Sequence, residues 1–211
     1  MDTRKIIRKD KVINMANWCS TQITINHENE NKLEELENKI NEWMNPKDTS
    51  DFGNSWLGNI VINSGVGTVD ENANTDCRCR GSVIDMYRSG NELYIYTETA
   101  WVPMLKMWTR LLDKYLPDAE LLYSADECGC EIYSTNDPNV VGRYVIDIFE
   151  DIGSFESNWD ATTEDVVEIL QSLLKTEETD IGKLFEMLDE SDFNNDMSIH
   201  QWEYASVDEW D

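Results

Sequence analysis

The sequence predicts an α+β fold: one antiparallel sheet with two helices on one face, followed by an acidic helical segment. Three observations lead there. Short runs of two-residue hydrophobic period alternate with longer runs of helical period. Two of the short runs meet across a tight glycine-containing turn, as in a hairpin. Beyond about residue 156 the apolar pattern becomes helical and is embedded in acid.

The run STQITIN after Trp18 places Ile23 and Ile25 on one face, as a half-buried strand does. From Glu28 to Met44, Leu33, Leu36, Ile40, Trp43 and Met44 recur at helical spacing, and Pro46 closes the pattern. Residues 46–76 hold a single short apolar run, WLGNIVI, within a polar, Gly-rich stretch, and are expected to be a loop insertion. GSVIDMYRSGNELYIYTET gives two strands joined at Ser89-Gly90-Asn91.

Trp101, Met104, Leu105, Trp108, Leu111, Leu112 and Tyr115 predict a second helix, with Pro103 in its first turn and Pro117 beyond its end. ELLYS and CEIYST follow as short strands around Asp126 to Gly129, and GRYVIDIF (142–149) as another. The order strand, helix, strand, strand, helix, strand is that of the split βαβ, or ferredoxin-like, arrangement. EDVVEILQSLL and IGKLFEML then read as tail helices. The expected organisation is a basic extension at 1–14, a ferredoxin-like domain at 15–150 and an acidic helical tail at 151–211.

The chain has 211 residues, of which 40% are hydrophobic and 10% aromatic, enough buriable surface for a folded core. Its formal net charge of −26 is unevenly spread. Residues 1–15 carry five basic and two acidic side chains, whereas residues 150–211 carry two basic and nineteen acidic ones. Such a field repels phosphate backbones and anionic lipid, which argues against direct nucleic-acid or membrane binding. It attracts proteins with basic working surfaces; acid for solubility alone is the competing explanation. The absence of any apolar run of spanning length, the lack of an apolar signal region and an odd count of five cysteines together suggest a cytoplasmic protein with reduced thiols.

Three segments, Met15-Ala-Asn-Trp-Cys19, Tyr94-Ile-Tyr-Thr-Glu-Thr-Ala-Trp101-Val-Pro103 and Ala125-Asp-Glu-Cys-Gly-Cys-Glu131, resemble the YubB-type ferredoxin-like domain family over about residues 15–150. Members commonly share a Met-x-Asn-Trp-Cys start, a Thr-x-Trp-x-Pro approach to the second helix and a Glu-x-Gly segment between the last strands. The resemblance implies a phage or plasmid accessory protein and carries no catalytic residues across. It also implies that Met15 is the start the family uses, with residues 1–14 either an upstream extension or the product of a mis-called start codon.

Candidate sites lie mostly in the tail. Asp192, Asn194, Asp196, Ser198 and Glu203 fall in the register of an EF-hand Ca²⁺ loop, preceded by a helical pattern. Met197 stands where that loop needs glycine, and no second loop exists to pair with it, so a solvated acidic turn is the favoured reading. Cys77, Cys79, Cys128 and Cys130 form two Cys-x-Cys pairs; zinc knuckles use two intervening residues, so idle thiols are expected over zinc. His27 and His200 belong to no recognisable relay, and no phosphate-binding glycine motif occurs, which favours a non-enzymatic role.

The leading expectation is an inhibitor of a basic nucleic-acid-processing protein, an anti-defence (anti-CRISPR-like) role played by nucleic-acid mimicry. Glu177, Glu178, Asp180, Glu186, Asp189, Glu190, Asp192 and Asp196 would steer, and Trp202 and Trp210 would anchor. Two alternatives remain open: a Ca²⁺-binding or structural module, and a small-molecule binder using a pocket between the 46–76 loop and the sheet.

Overall fold

The computed structural model describes residues 17–45, 53–68, 76–149 and 155–210. Met15 and the 1–14 extension lie outside the described residues, as do parts of the 46–76 insertion.

A six-stranded sheet is formed by β1 (Trp18–Asn26), β2 (Gly81–Ser89), β3 (Glu92–Ala100), β4 (Glu120–Glu127), β5 (Ile132–Thr135) and a short β9 (Glu203–Tyr204). Its order is β2-β3-β1-β4-β5-β9, antiparallel except for the β5–β9 pair. Gly90, at φ +57°, closes the β2–β3 hairpin in a conformation that a Cβ would disfavour. Register places Ile23 between Ile95 and Tyr123, and Ile25 between Leu93 and Leu121, so one face is apolar.

That inner face is covered by α1 (Glu30–Met44), α2 (Leu57–Ser64) and α3 (Leu105–Tyr115), whose buried residues join it in one core. Asn29 caps α1 through its side chain, which accepts from the Asn31 N–H at 3.0 Å. The 46–76 segment is therefore not only loop: its apolar run forms α2, and Leu57, Ile60 and Val61 are fully buried. Gly and Asn inside a short β-branched run carry little helical preference, and burial against the sheet decides the conformation. The third helix also starts later than predicted, because Trp101 adopts φ +75° and Thr99 Oγ1 donates to the Val102 carbonyl at 2.8 Å, which keeps Pro103 outside it.

A second unit has its own core. The strand β6 (Tyr144–Ile148) pairs with β7 (Asn158–Ala161) and β8 (Met197–Gln201), and α4 (Thr163–Leu174) and α5 (Ile181–Asp189) pack on this three-stranded sheet. Thr162 and Asp165 form a reciprocal capping box at the start of α4. The predicted boundary at 150 thus falls inside a sheet, because β6 belongs with the tail. That tail is not purely helical either: it contributes three strands, and β9 returns to the first sheet beside β5.

Candidate functional site

The outer face of the first sheet carries the alternate set of side chains. Across β3, β1 and β4 the register gives one row of Glu98, Ser20 and Asp126 and another of Tyr96, Gln22 and Ser124. Over the β4–β5 end this face is covered: Tyr133, Val145 and Trp202 form a small cluster joining the two units, and the His200 ring stacks on Tyr133 with centroids 4.0 Å apart. Over β1 and β3 it stays open as a cleft of about 600 Å³.

The cleft wall comes from the second unit and the chain leading into it. Trp159 and Asp160 stand on β7, and Asn139, Val140 and Arg143 precede β6. The Trp202 indole N–H donates to the Trp159 carbonyl at 3.0 Å, fixing β7 over the cleft while the Trp159 side chain stays half exposed. Arg143 pairs with Asp160 at 2.7 Å and also donates to its carbonyl at 3.2 Å. Asp137 holds the Asn139 turn, its Oδ1 accepting from the Asn139 N–H at 2.8 Å.

Asp126 is the unusual group. Its carboxylate is partly buried and has no hydrogen-bond or ion-pair partner among the described residues. Burial first, then the nearby Asp147 and Glu127 charges, push its pKa up to about 6. Burial holds the pKa of the neighbouring His200 down, against the pull of Glu131 and Asp147.

An aromatic strip continues from the cleft along β2 and β3. Tyr87 stacks on Tyr94 at 5.0 Å and on Tyr96 at 6.2 Å. The Tyr94 hydroxyl donates to Glu92 at 2.6 Å, which orients the ring and is the main reason its pKa is pushed up to about 12. Ile84, at the cleft margin, is 58% exposed.

Described residues of the three segments that carried the family resemblance meet at one end of the sheet. The Asn17 carbonyl accepts from the Trp101 N–H at 2.9 Å, and Asn17 Nδ2 donates to Cys130 Sγ at 3.9 Å. The buried Glu127 carboxylate accepts from the Gly129 N–H at 3.0 Å and from the Cys130 N–H. A Cβ on Gly129 would meet the Asn17 amide and the Glu127 carboxylate, so a larger residue there would displace those two side-chain ends. The Glu127 hydrogen bond also raises the Cys130 pKa, which disfavours its thiolate form.

The predicted site residues divide. Glu177, Asp180, Glu186, Asp189, Glu190 and Asp192 are exposed on α5 and its flanks, with Asp196 partly so. Two of the group have structural work: Asp180 caps α5, and Glu178 accepts from the Thr179 and Asp180 N–H groups and from Lys183 Nζ at 3.1 Å. Trp202 and Trp210 are not free anchors. Trp202 is 5% exposed in the joining cluster, and the Trp210 indole donates to the Tyr123 hydroxyl at 2.7 Å while its ring packs on the first core. Their size makes burial the larger gain, about 3 kcal/mol or more for such a ring.

The EF-hand register does not become an EF-hand loop. Asp192 and Asn194 lie in a 3-10 turn, Ser198 lies in β8 and Glu203 in β9 of the other sheet, while Met197 is buried and extended. Pairing of β8 with β6 opens out the segment that a metal loop would have to wrap. Cys77 and Cys79 are buried in the first core, whereas Cys128 and Cys130 are exposed in the β4–β5 turn, so the four thiols occupy different environments. Burial pushes Cys79 up to about 11. Among the described residues no group of three or more His, Cys, Asp or Glu is placed to hold a metal ion.

The cleft lies on the face opposite the 46–76 segment, with no described residue of that segment in its lining; much of the pocket expected beside that segment falls outside the described residues. Sequence reasoning passed over Asp126, Tyr96, Arg143 and Trp159. The available signal was the polar alternate of each strand pattern, which marks the outward face without saying what covers it. No family model, curated protein or solved structure matches the chain.

Proposed function

We propose that this is a non-enzymatic binding protein that holds a basic segment of a partner protein on the outer face of its first sheet, with the acidic second unit steering the approach. One observation carries the reading: aromatic rings and carboxylates share this face, and the cation lining the cleft, Arg143, is already neutralised by Asp160. Rings supply rigid contact area and cation-π attraction, while carboxylates select Lys and Arg over acidic or neutral competitors. The exposed acids of α5 lie on the unit that forms the cleft wall, so they add long-range attraction to a site that supplies short-range contact.

The strand order β2-β3-β1-β4, with α1 and α3 in one core, supports the ferredoxin-like reading of the first unit. The resemblance to YubB-type domains supports a phage or plasmid origin. Basic surfaces are characteristic of nucleic-acid-processing proteins, so a host enzyme or defence complex of that kind is the partner class proposed, and inhibition by occupying its basic surface the consequence.

Titration of the full chain with a Lys/Arg-rich polypeptide tests this, with the exposed Trp159 as fluorescent reporter. Binding should weaken steeply as salt is added. A fourfold reversal, Glu177→Lys, Glu186→Lys, Asp189→Lys and Glu190→Lys, should slow association while leaving the melting transition in place. Salt-independent binding, or none, would remove the proposal.

A further inference from the structure

We infer that the cleft is an arginine pocket, taking one guanidinium group from the partner's basic segment between the Asp126 and Glu98 carboxylates and against the rings of Tyr96 and Trp159. This rests on the basic-partner reading above and narrows it to one side-chain type.

A partly buried carboxylate without a donor is unfavourable, and native structures ordinarily supply one. Asp126 has none among the described residues, and the charged groups around it repeat its sign. Asp147 faces it from β6, Glu127 flanks it on β4, and Glu98 lies across Ser20 on β3. From β5 the neighbour is the phenol of Tyr133, on which β8 stacks His200; burial favours the neutral form of that ring, so it offers no compensating charge. Arg143 is engaged with Asp160. Asp126 thus lines the open cleft with no protein cation beside it among the described residues, and a ligand cation would meet its charge there.

Geometry selects the guanidinium among cations. Glu98 and Asp126 both pair with Ser20, so their Cα atoms lie two strand spacings apart, roughly 10 Å. Two carboxylates rising into one cleft from that separation would suit a planar fork with donors on both edges better than a point charge. The guanidinium plane also stacks on aromatic faces, and Tyr96 and Trp159 supply them. At about 600 Å³ the cleft holds an arginine side chain with flanking backbone, in the range of ordinary ligand sites.

The experiment uses the full chain and two small probes, N-acetyl-arginine methylamide and its lysine counterpart, followed by NMR shifts of the Trp159 indole and calorimetry. The arginine probe should bind about tenfold or more tightly than the lysine probe. Asp126→Asn should reduce arginine binding by a similar factor, Glu98→Gln by less, with the melting curve of each variant confirming the fold. Because Asp126 accepts a proton near pH 6, arginine binding should fall as pH drops through that value. Equal affinity for the two probes, or an Asp126→Asn chain that binds arginine unchanged, overturns the pocket. If the basic polypeptide still binds in either case and the arginine probe does not compete with it, the pocket fails while the basic-partner reading stands. If neither polypeptide nor probe binds, both fall.

Discussion

On its inner face the first sheet presents Ile23, Ile25, Leu93 and Ile95 to three helices; on its outer face the same strands present Ser20, Gln22, Tyr96 and Glu98 to a cleft. A single alternation of side chains produces both. The inner set is fully buried and exchanges water for close-packed carbon, so it holds the fold. The outer set is covered where Tyr133 and Trp202 meet the second unit, and beyond that cover it lines the cleft. Stability thus rests on one face of the sheet, and the recognition proposed above is assigned to the other.

The comparison can be broken first where the two units join. Trp202→Ala removes the ring that ties β7 and β6 to the outer face, and should cost about 3–5 kcal/mol, read as a lower urea midpoint. An inner-face truncation follows: Ile23→Ala should cost about 2–4 kcal/mol, whereas the outer neighbour Ser20→Ala should stay within about 0.5 kcal/mol. Equal costs for Ile23 and Ser20 would mean that the sheet is not divided in this way.

A smaller effect has the opposite sign. Asp126 is raised from an ordinary value of 3.8 to about 6, so between those pH values the folded chain holds a proton that the unfolded chain has released. The burden of its buried charge is absent below the unfolded value, grows as pH rises through the window and is complete above about 6. Asp126→Asn should therefore stabilise the protein by roughly 1–2 kcal/mol at neutral pH, allowing for partial solvent access, and by little near pH 4. Thermal melts of both chains across that range check it; a destabilised variant at neutral pH would show that Asp126 has a partner in the fold. The smallest change concerns α4: Thr162→Ala should cost about 1 kcal/mol through loss of the capping box, visible as a lower melting temperature.

Much of the first unit was legible from its pattern. The hairpin around Gly90, the stripe from Leu105 to Tyr115 and the alternation of β1 all reappear, because local period and turn chemistry agree with the tertiary contacts there. The helix at Leu57–Ser64 was not legible, since a seven-residue run whose apolar side chains are interrupted by Gly58 and Asn59 has no helical signature of its own. Strand β6 was recognised as a strand, yet its partners were not, because a two-residue period says which face is apolar and nothing about which strand lies alongside. The acids of α5 were legible as charge and lie exposed, whereas the tryptophans beside them were misread as surface, since acidity around a large ring does not report whether another element covers it.

By itself the amino-acid sequence determined the alternation of each strand, the stripe of the longer helices, the hairpin and the sign and place of the charge, because these depend on residue type and on neighbours a few positions away. Only the tertiary structure decided that β6 joins the tail, that Trp202 and Trp210 turn inward, and that Ser20, Tyr96, Asp126 and Trp159 line one cleft. Those residues are separated by up to about 140 positions in the chain, and what brings them together is the burial of two cores and the cluster between them, a balance of long-range contacts that no local pattern records.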